Sequence, residues 1–382
     1  MRQAVYNLAA RFSPRPPERK IEVVVCPEHG STMESFRQNL ARILHYHRVY
    51  GASFALFNKD GIIVQAVYGN ASDNQPIAAD TFFRVASVSK MITAAGVMAM
   101  RQAGVLDIDI NVKRFIPYAD SLQREITLRS MLTHTAGFHD GAIYNHLIGT
   151  GATLDKLMVD ESVQPENREP IWEYSNFGAG LIAVVLEEML GQSFEVLMQK
   201  YLFKPLQAQA SFYPQHLDGL LANAYQMLPY RNAPRFHAQE RKSRTDIGWD
   251  RVDYQHYGLA QGNCCINTSG IQKIAGALLA PGFLLDSTLR DMQAVHGSFG
   301  ERDNRLKQGI GLFIVEDHTI APYPLYGHQG LAYGAVHGVF FDTKNQDGMI
   351  LLTSGSSFAR DGVLTNLNAD VMKLWQERQW MN

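Results

Sequence analysis

The sequence predicts an α+β fold: one antiparallel sheet assembled from both ends of the chain, flanked by helices, with a mainly helical lobe inserted between the two halves. Three observations carry that expectation. β-rich runs occur at residues 51–72 and again across 309–355, so strand signals sit at both ends. Residues 105–260 hold mostly helix and loop signals. Residues 83–104, FRVASVSKMITAAGVMAMRQAG, are apolar on almost every side of a helical wheel, which marks a helix buried all round.

The elements follow in order. Residues 1–32 read as an N-terminal extension with a Pro/Arg/Glu/Lys loop at 14–20 and a short apolar run, IEVVVC, suited to an edge strand. Residues 33–47 carry Phe36, Leu40, Ile43 and Leu44 at helical spacing. Residues 51–72 read as a hairpin turning around Asn58 to Gly61, and a short strand at 81–85 leads to Ser87. The buried helix stops at Gly104, and a loop then runs to Pro117. ITLRSMLTHTAGF predicts a helix capped by Thr127 and ended at Gly137. Residues 176–191 predict a second buried helix and 193–201 a shorter one. Residues 207–260 are irregular, and their basic run HAQERKSR reads as a solvated loop. A helix from Ser269 precedes three strand-like runs, GIGLFIVED, HGVFFDTKNQDG and MILLTSG, and residues 362–380 predict a terminal helix. A chain of 382 residues exceeds the usual single core, so the expected division is an extension at 1–32, a sheet lobe at 33–85 and 262–382, and a helical lobe at 86–261.

Composition excludes several classes. A net charge of −2 with 46% apolar residues makes no electrostatic bid for nucleic acid. No apolar run reaches the roughly 18 residues of a membrane span. The stretch MRQAVYNLAARFSPRPPERK has no continuous apolar core, so no export signal is expected and cytoplasmic residence is the default expectation. The three cysteines, Cys26, Cys264 and Cys265, make no disulfide framework, and three thiols are expected. With neither CxxC nor HExxH, neither a metal nor another cofactor is expected.

The chemistry-bearing pair is Ser87 and Lys90. A spacing of three puts both on one face of a helix start, with the ammonium in reach of the hydroxyl. Free N–H groups and the positive end of the helix dipole favour negative charge developing beside Ser87. Burial shifts a lysine toward its neutral, proton-accepting form, so the pair suits an activated nucleophile. No GxSxG elbow occurs, which argues against an α/β-hydrolase.

FRVASVSK, ITLRSMLTHTAGF, IWEYSNFGAGLIAVVLEEMLG, LFKPL and YGHQG resemble, in order and spacing, the serine β-lactamase and penicillin-binding protein superfamily over residues 33–380. The resemblance is nearest to the branch of class C β-lactamases, DD-carboxypeptidases, esterases and D-aminopeptidases. It implies a β-lactamase/transpeptidase-like fold. Tyr-x-Asn occurs three times, and the copy at Tyr174 and Asn176 is chosen because it precedes a buried helix and follows Trp172. His-x-Gly occurs twice, and the copy at His328 and Gly330 is chosen because strand-like runs follow it.

The resemblance implies that Ser87 forms an acyl-enzyme and that Tyr174, acidified by Lys90, is the general base, with Lys90 itself as the other candidate base. It gives Asn176 the substrate amide and Lys90 to hold, and it builds an oxyanion hole from the N–H groups of Ser87 and Leu331, each worth roughly 3 kcal/mol. His134 and His139 read as side chains that fix loops. Where many relatives carry Lys-Thr-Gly, this chain has His328-Gln329-Gly330. A neutral histidine holds a substrate carboxylate less well, unless Arg302 or Arg305 compensates. The expected activity is therefore hydrolysis of an amide, peptide or ester in a small molecule or short peptide, weak on β-lactams. The alternatives are an efficient class C-like β-lactamase and a non-hydrolytic penicillin-recognising or scaffold protein.

Overall fold

Asn58 turns the first hairpin with its own side chain, Oδ1 accepting from the N–H groups of Asp60 and Gly61 at 2.9 and 3.0 Å. That pins the register of the strands on either side. The computed structural model describes residues 2–12, 19–25, 31–120, 122–148, 150, 152–164, 169, 171–227, 232–242, 254 and 256–377. In chain order its principal elements are α1 (Arg2–Phe12), β1 (Ile21–Val25), α2 (Ser31–Tyr46), β2 (Gly51–Asn58), β3 (Ile62–Ser72), α3 (Val88–Gln102), α4 (Asn176–Leu190), α5 (Thr268–Leu279), β4 (Gly297–Ser298), β5 (Leu306–Gln308), β6 (Phe313–Val315), β7 (Leu325–Ala332), β8 (Ala335–Asp342), β9 (Asp347–Gly355) and α6 (Asn366–Gln376).

The strands form one antiparallel sheet in the order β1-β3-β2-β9-β8-β7-β6-β5-β4, and β9 pairs with β2 from Asp347↔Asn58 to Gly355↔Gly51. The sheet is thus closed between the two ends of the sequence, as the strand pattern predicts. Its strands alternate between two cores, as a period of two requires. Ala52, Phe54 and Leu56 of β2, with Met349 and Leu351 of β9, face a core that includes residues of α2 and α6. Ala55, Phe57, Ile350 and Leu352 face a larger core built from α3, α4, α5 and the helical segments between them.

Several expectations shift at their edges. The helix read from Phe83 begins at Val88, because Phe83–Arg84 pair as a short strand with Cys265–Ile266 and Ala86 breaks the path with φ +48. The helix capped by Thr127 ends at Leu132 rather than Gly137, although its capping box is complete. Gly191 ends α4 in the left-handed region with φ +65, as a C-terminal glycine does. The apolar run of the extension is the edge strand β1, paired with β3. Helix α1, unforeseen in the sequence, docks through Gln3, Tyr6 and Asn7, which bond backbone groups of Phe358 and Arg360. Strand β7, which carries the YGHQG run, was likewise not singled out as a strand. Cys264 and Cys265 are buried free thiols, while Cys26 lies outside the described residues. Of the basic run at 237–244, read as a loop, Ala238–Lys242 form a short helix, and Ser243 and Arg244 lie outside the described residues. Among the described residues no helix is long and apolar enough to cross a membrane, and no group of acidic, His and Cys side chains is arranged to hold a metal ion.

Candidate active site

Ser87 is the N-cap of α3, yet its hydroxyl does not cap the helix. The Oγ is left for Lys90. Two features hold Ser87 in place. Val85 N–H donates to the Cys264 carbonyl at 2.9 Å, and the left-handed Ala86 turns the chain sharply into the helix. A non-glycine residue in that region costs of order 1–3 kcal/mol, a strain that the packing around the strand sustains.

Lys90 is buried, and its Nζ reaches three oxygens: Ser87 Oγ at 3.1 Å, Asn176 Oδ1 at 2.8 Å and the Gln261 carbonyl at 2.7 Å. Burial pulls its pKa down to about 7; the Asp140 carboxylate opposes this and the Arg84 guanidinium adds to it. A neutral amine has two N–H donors and one lone pair. The two carbonyl oxygens take the donors, which aims the lone pair at Ser87.

The Tyr174 phenol lies beside the Ser87 side chain, and Lys90 Nζ lies 5.1 Å from its ring centre. The resemblance implies a phenol acidified by Lys90; here burial dominates and pushes the Tyr174 pKa up, the neighbouring Ser87 hydroxyl only partly offsetting it. The phenol therefore stays protonated at neutral pH. With its pKa near 7, Lys90 carries only part of a charge at neutral pH with which to acidify its neighbour.

Asn176 opens α4 and joins Lys90 to a residue that sequence reading missed. Its Nδ2 donates to Asp140 Oδ2 at 2.8 Å, and Asp140 Oδ1 accepts from Phe177 N–H at 2.9 Å and Ser175 Oγ at 3.1 Å. A carboxylate at a helix N-terminus satisfies orphan N–H groups and suits the dipole. Asp140 fixes which end of the Asn176 amide faces Lys90. The signal was in the rejected His139-Asp140-Gly141 copy of His-x-Gly, whose acidic middle residue mattered and not its histidine. His134, left-handed at φ +60, accepts from Ser175 N–H at 3.2 Å through Nδ1 and stacks 4.5 Å from the Tyr174 ring. It fixes the segment that delivers Tyr174.

Gln261 was also missed, since its backbone carbonyl has no sequence signature. It sits on the short helix Leu259–Gly262 and accepts from Tyr144 OH through its side chain. The start of that segment is held by His256, whose Nε2 meets the buried Glu187 Oε2 at 2.6 Å. Of the other Tyr-x-Asn copies, Tyr68 is a core residue of β3 and Tyr230 lies outside the described residues.

Strand β7 closes the site. At Gly330 a Cβ would lie 2.2 Å from the Val85 carbonyl and 3.3 Å from Ser87 N, so only glycine lets the strand come this close. Leu331 follows directly, paired with Val336 of β8. His328 is buried, its Nδ1 beside the Gln329 carbonyl at 2.6 Å and its ring 4.1 Å from Phe313; burial lowers its pKa to about 3, with the Lys90 charge adding to the effect. The Gln329 side chain bonds the Val363 carbonyl, Thr365 N–H and Asn368. Strand alternation puts it on the face opposite His328 and Gly330. Arg305 is tied to Asp303 at 2.8 Å and to Asp317 at 3.3 Å, while Arg302 is largely exposed with Glu173 3.6 Å away.

Asp140→Asn keeps the shape but removes one acceptor oxygen, freeing the Asn176 amide to turn. Turnover is expected to fall about 10- to 100-fold, the scale of a lost outer hydrogen-bonding partner, with KM little changed. Steady-state kinetics on an activated ester check this; unchanged kcat would show that Asn176 needs no such anchor.

The chain is 32% identical over 143 residues to the putative penicillin-binding protein PbpX of Bacillus subtilis (strain 168), an overlap covering 37% of this chain and 34% of that protein. It is 28% identical over 184 residues to esterase EstB of Burkholderia gladioli, covering 43% of this chain and 47% of EstB. The matched stretches thus span less than half of these curated relatives. Among solved structures, EstCE1, described as a hydrolase with promiscuous acyltransferase activity, superposes with a TM-score of 0.71 at 20% identity, covering 90% of this chain and 98% of that one. The D-amino acid amidase of Ochrobactrum anthropi SV3 gives 0.68 at 20% identity, covering 91% and 100%. At such identities these two show a shared fold. The family model described as Beta-lactamase matches residues 36–371, and the chain belongs to that family.

Proposed function

We propose that this protein is a serine hydrolase that cleaves an amide, peptide or ester bond through an acyl-enzyme on Ser87. The observation that carries the reading is the Lys90 amine, with two carbonyl oxygens on its N–H groups and Ser87 Oγ 3.1 Å from its nitrogen. Neutral Lys90 takes the hydroxyl proton as Oγ attacks the substrate carbonyl carbon. Negative charge gathers on the carbonyl oxygen, which the N–H groups of Ser87 and Leu331 receive. Tyr174, kept protonated by burial and placed beside Ser87, donates to the leaving group as the tetrahedral adduct collapses. Water then attacks the ester on Ser87 by the same steps reversed, with proton transfers worth typically 10²–10⁴-fold in rate. The second N–H of Asn176, beyond the one given to Asp140, is available to a substrate carbonyl.

Tyr174→Phe tests the division of labour. Turnover of an amide, whose leaving nitrogen must be protonated, is expected to fall about a hundredfold. A p-nitrophenyl ester, whose leaving group needs no proton, is expected to fall much less. Equal losses on both substrates would return the base role to Tyr174.

The substrate preference rests on the third motif. A neutral His328, a Gln329 turned away from the site and an Arg305 committed to carboxylates leave little fixed positive charge to hold a penicillin carboxylate. Short esters and small D-amino-acid amides or peptides fit this better, and the esterase and amidase relatives agree in kind. We expect kcat/KM for nitrocefin to lie well below that for p-nitrophenyl acetate, and His328→Lys to narrow the gap. Nitrocefin turned over far faster than the ester by the wild type would mean an efficient β-lactamase instead.

A further inference from the structure

Three residues before the nucleophile, Arg84 points its guanidinium into a separate cavity under the β7–β8 hairpin. Phe83, Ala222, Asn223, Phe236, Tyr333 and His337 are among the residues lining it. Nε and Nη2 of Arg84 both donate to the single oxygen Asn263 Oδ1, at 3.0 and 2.6 Å. Nη1 is buried and donates to nothing. The guanidinium lies 5.1 Å from the Tyr333 ring centre and 6.0 Å from that of Phe236, and Arg241 sits over the other ring contact, 5.8 Å from Phe236. Among the described residues no carboxylate pairs with Arg84. Nη1 is thus a charged donor shielded from water with no acceptor, on a residue that is itself partly exposed, and such an unmet donor is costly.

His337 adds a second donor to the same cavity. Its Nδ1 accepts from Thr353 N–H at 3.2 Å, and burial keeps the ring neutral, so its proton is on Nε2. The Arg84 carbonyl lies near the ring, but Nε2 completes no well-formed hydrogen bond. The cavity volume of about 10 Å³ matches one small occupant, since about one probe sphere of space is what a water-sized group needs. Two unpartnered donors on residues lining one cavity, one of them charged, suit an acceptor that carries negative charge.

We propose that the cavity under the β7–β8 hairpin binds one small monovalent anion, a halide or the carboxylate of a formate-sized acid, between Arg84 Nη1 and His337 Nε2. The anion would tie the strand that leads to Ser87, through Arg84, to strand β8, through His337. Because the Arg84 charge is one of the influences that lower the Lys90 pKa, an anion beside it would also ease that effect.

The test uses the whole wild-type chain. Crystals grown without halide are soaked in sodium bromide, and anomalous scattering should show a bromide within hydrogen-bond distance of Arg84 Nη1. In solution, melting temperature is followed against chloride, bromide and formate at constant ionic strength, with sulfate and benzoate as ions of the wrong charge or size. A saturable rise with the small monovalent ions, absent for sulfate and benzoate and lost in Arg84→Gln, is expected. Bromide peaks only at other places, or melting curves that respond equally to all ions, would overturn the proposal in favour of a bound water. Should Arg84→Gln fail to fold, Tyr333→Ala, which opens the cavity and keeps Arg84, replaces it: the ion selectivity by size should vanish, and selectivity unchanged from wild type would overturn the proposed cavity.

Discussion

Ser87→Ala is expected to abolish covalent labelling by a fluorophosphonate and to lower turnover by at least about 10⁴-fold, the scale of a removed nucleophile in an acyl-enzyme mechanism. The hydroxyl makes no helix cap, so its loss costs the fold little; α3 keeps its apolar burial from Val88 to Met100. Intact-mass spectrometry of the wild type should show a single adduct, and peptide mapping should place it on Ser87. The variant should have an unchanged melting temperature and no adduct. An adduct that persists in Ser87→Ala, or maps to another residue, would remove the acyl-enzyme reading altogether.

The second large effect concerns Lys90. Its pKa is lowered by burial from 10.5 to about 7, so the proton-accepting form fills as pH rises through 7. The acid limb of kcat/KM is therefore expected to inflect near pH 7, with activity present above it and lost below. Lys90→Met should lower kcat/KM about 10³-fold and erase that limb. Stability carries the same signature. Between the folded pKa of about 7 and the ordinary 10.5 the unfolded chain binds a proton that the native state does not. Stability from this group must then rise with pH across that window. In Lys90→Met that slope should be missing. A wild-type activity profile flat from pH 5.5 to 8.5 would show that neutral Lys90 is not the base.

The site was legible in the sequence where side chains sit close along the chain or in a recognisable motif. Ser87 and Lys90 are one helical turn apart, so local geometry alone brings them together. Tyr174 and Asn176 could be picked from three copies because a buried helix follows only one of them. Roles carried by backbone or by loops were not legible. Gln261 serves through its carbonyl, a group every residue has. Asp140 serves because a distant loop folds onto the start of α4. The sequence does not say which face of β7 looks into the site, so the turning of Gln329 away from it was not legible.

By itself the sequence determined the antiparallel sheet drawn from both ends and the buried α3 that carries Ser87 and Lys90 at its start. These follow from periodicity, composition and short-range spacing, which are properties of the chain before it folds. Only the tertiary structure supplies the burial and charges on which the proposed choice of Lys90 over Tyr174 as proton acceptor rests. A pKa is set by how much water is removed and which charges close in, and both depend on residues such as Asp140, Gln261 and Arg84 that meet Lys90 only once the two halves of the sheet and the helices between them have packed.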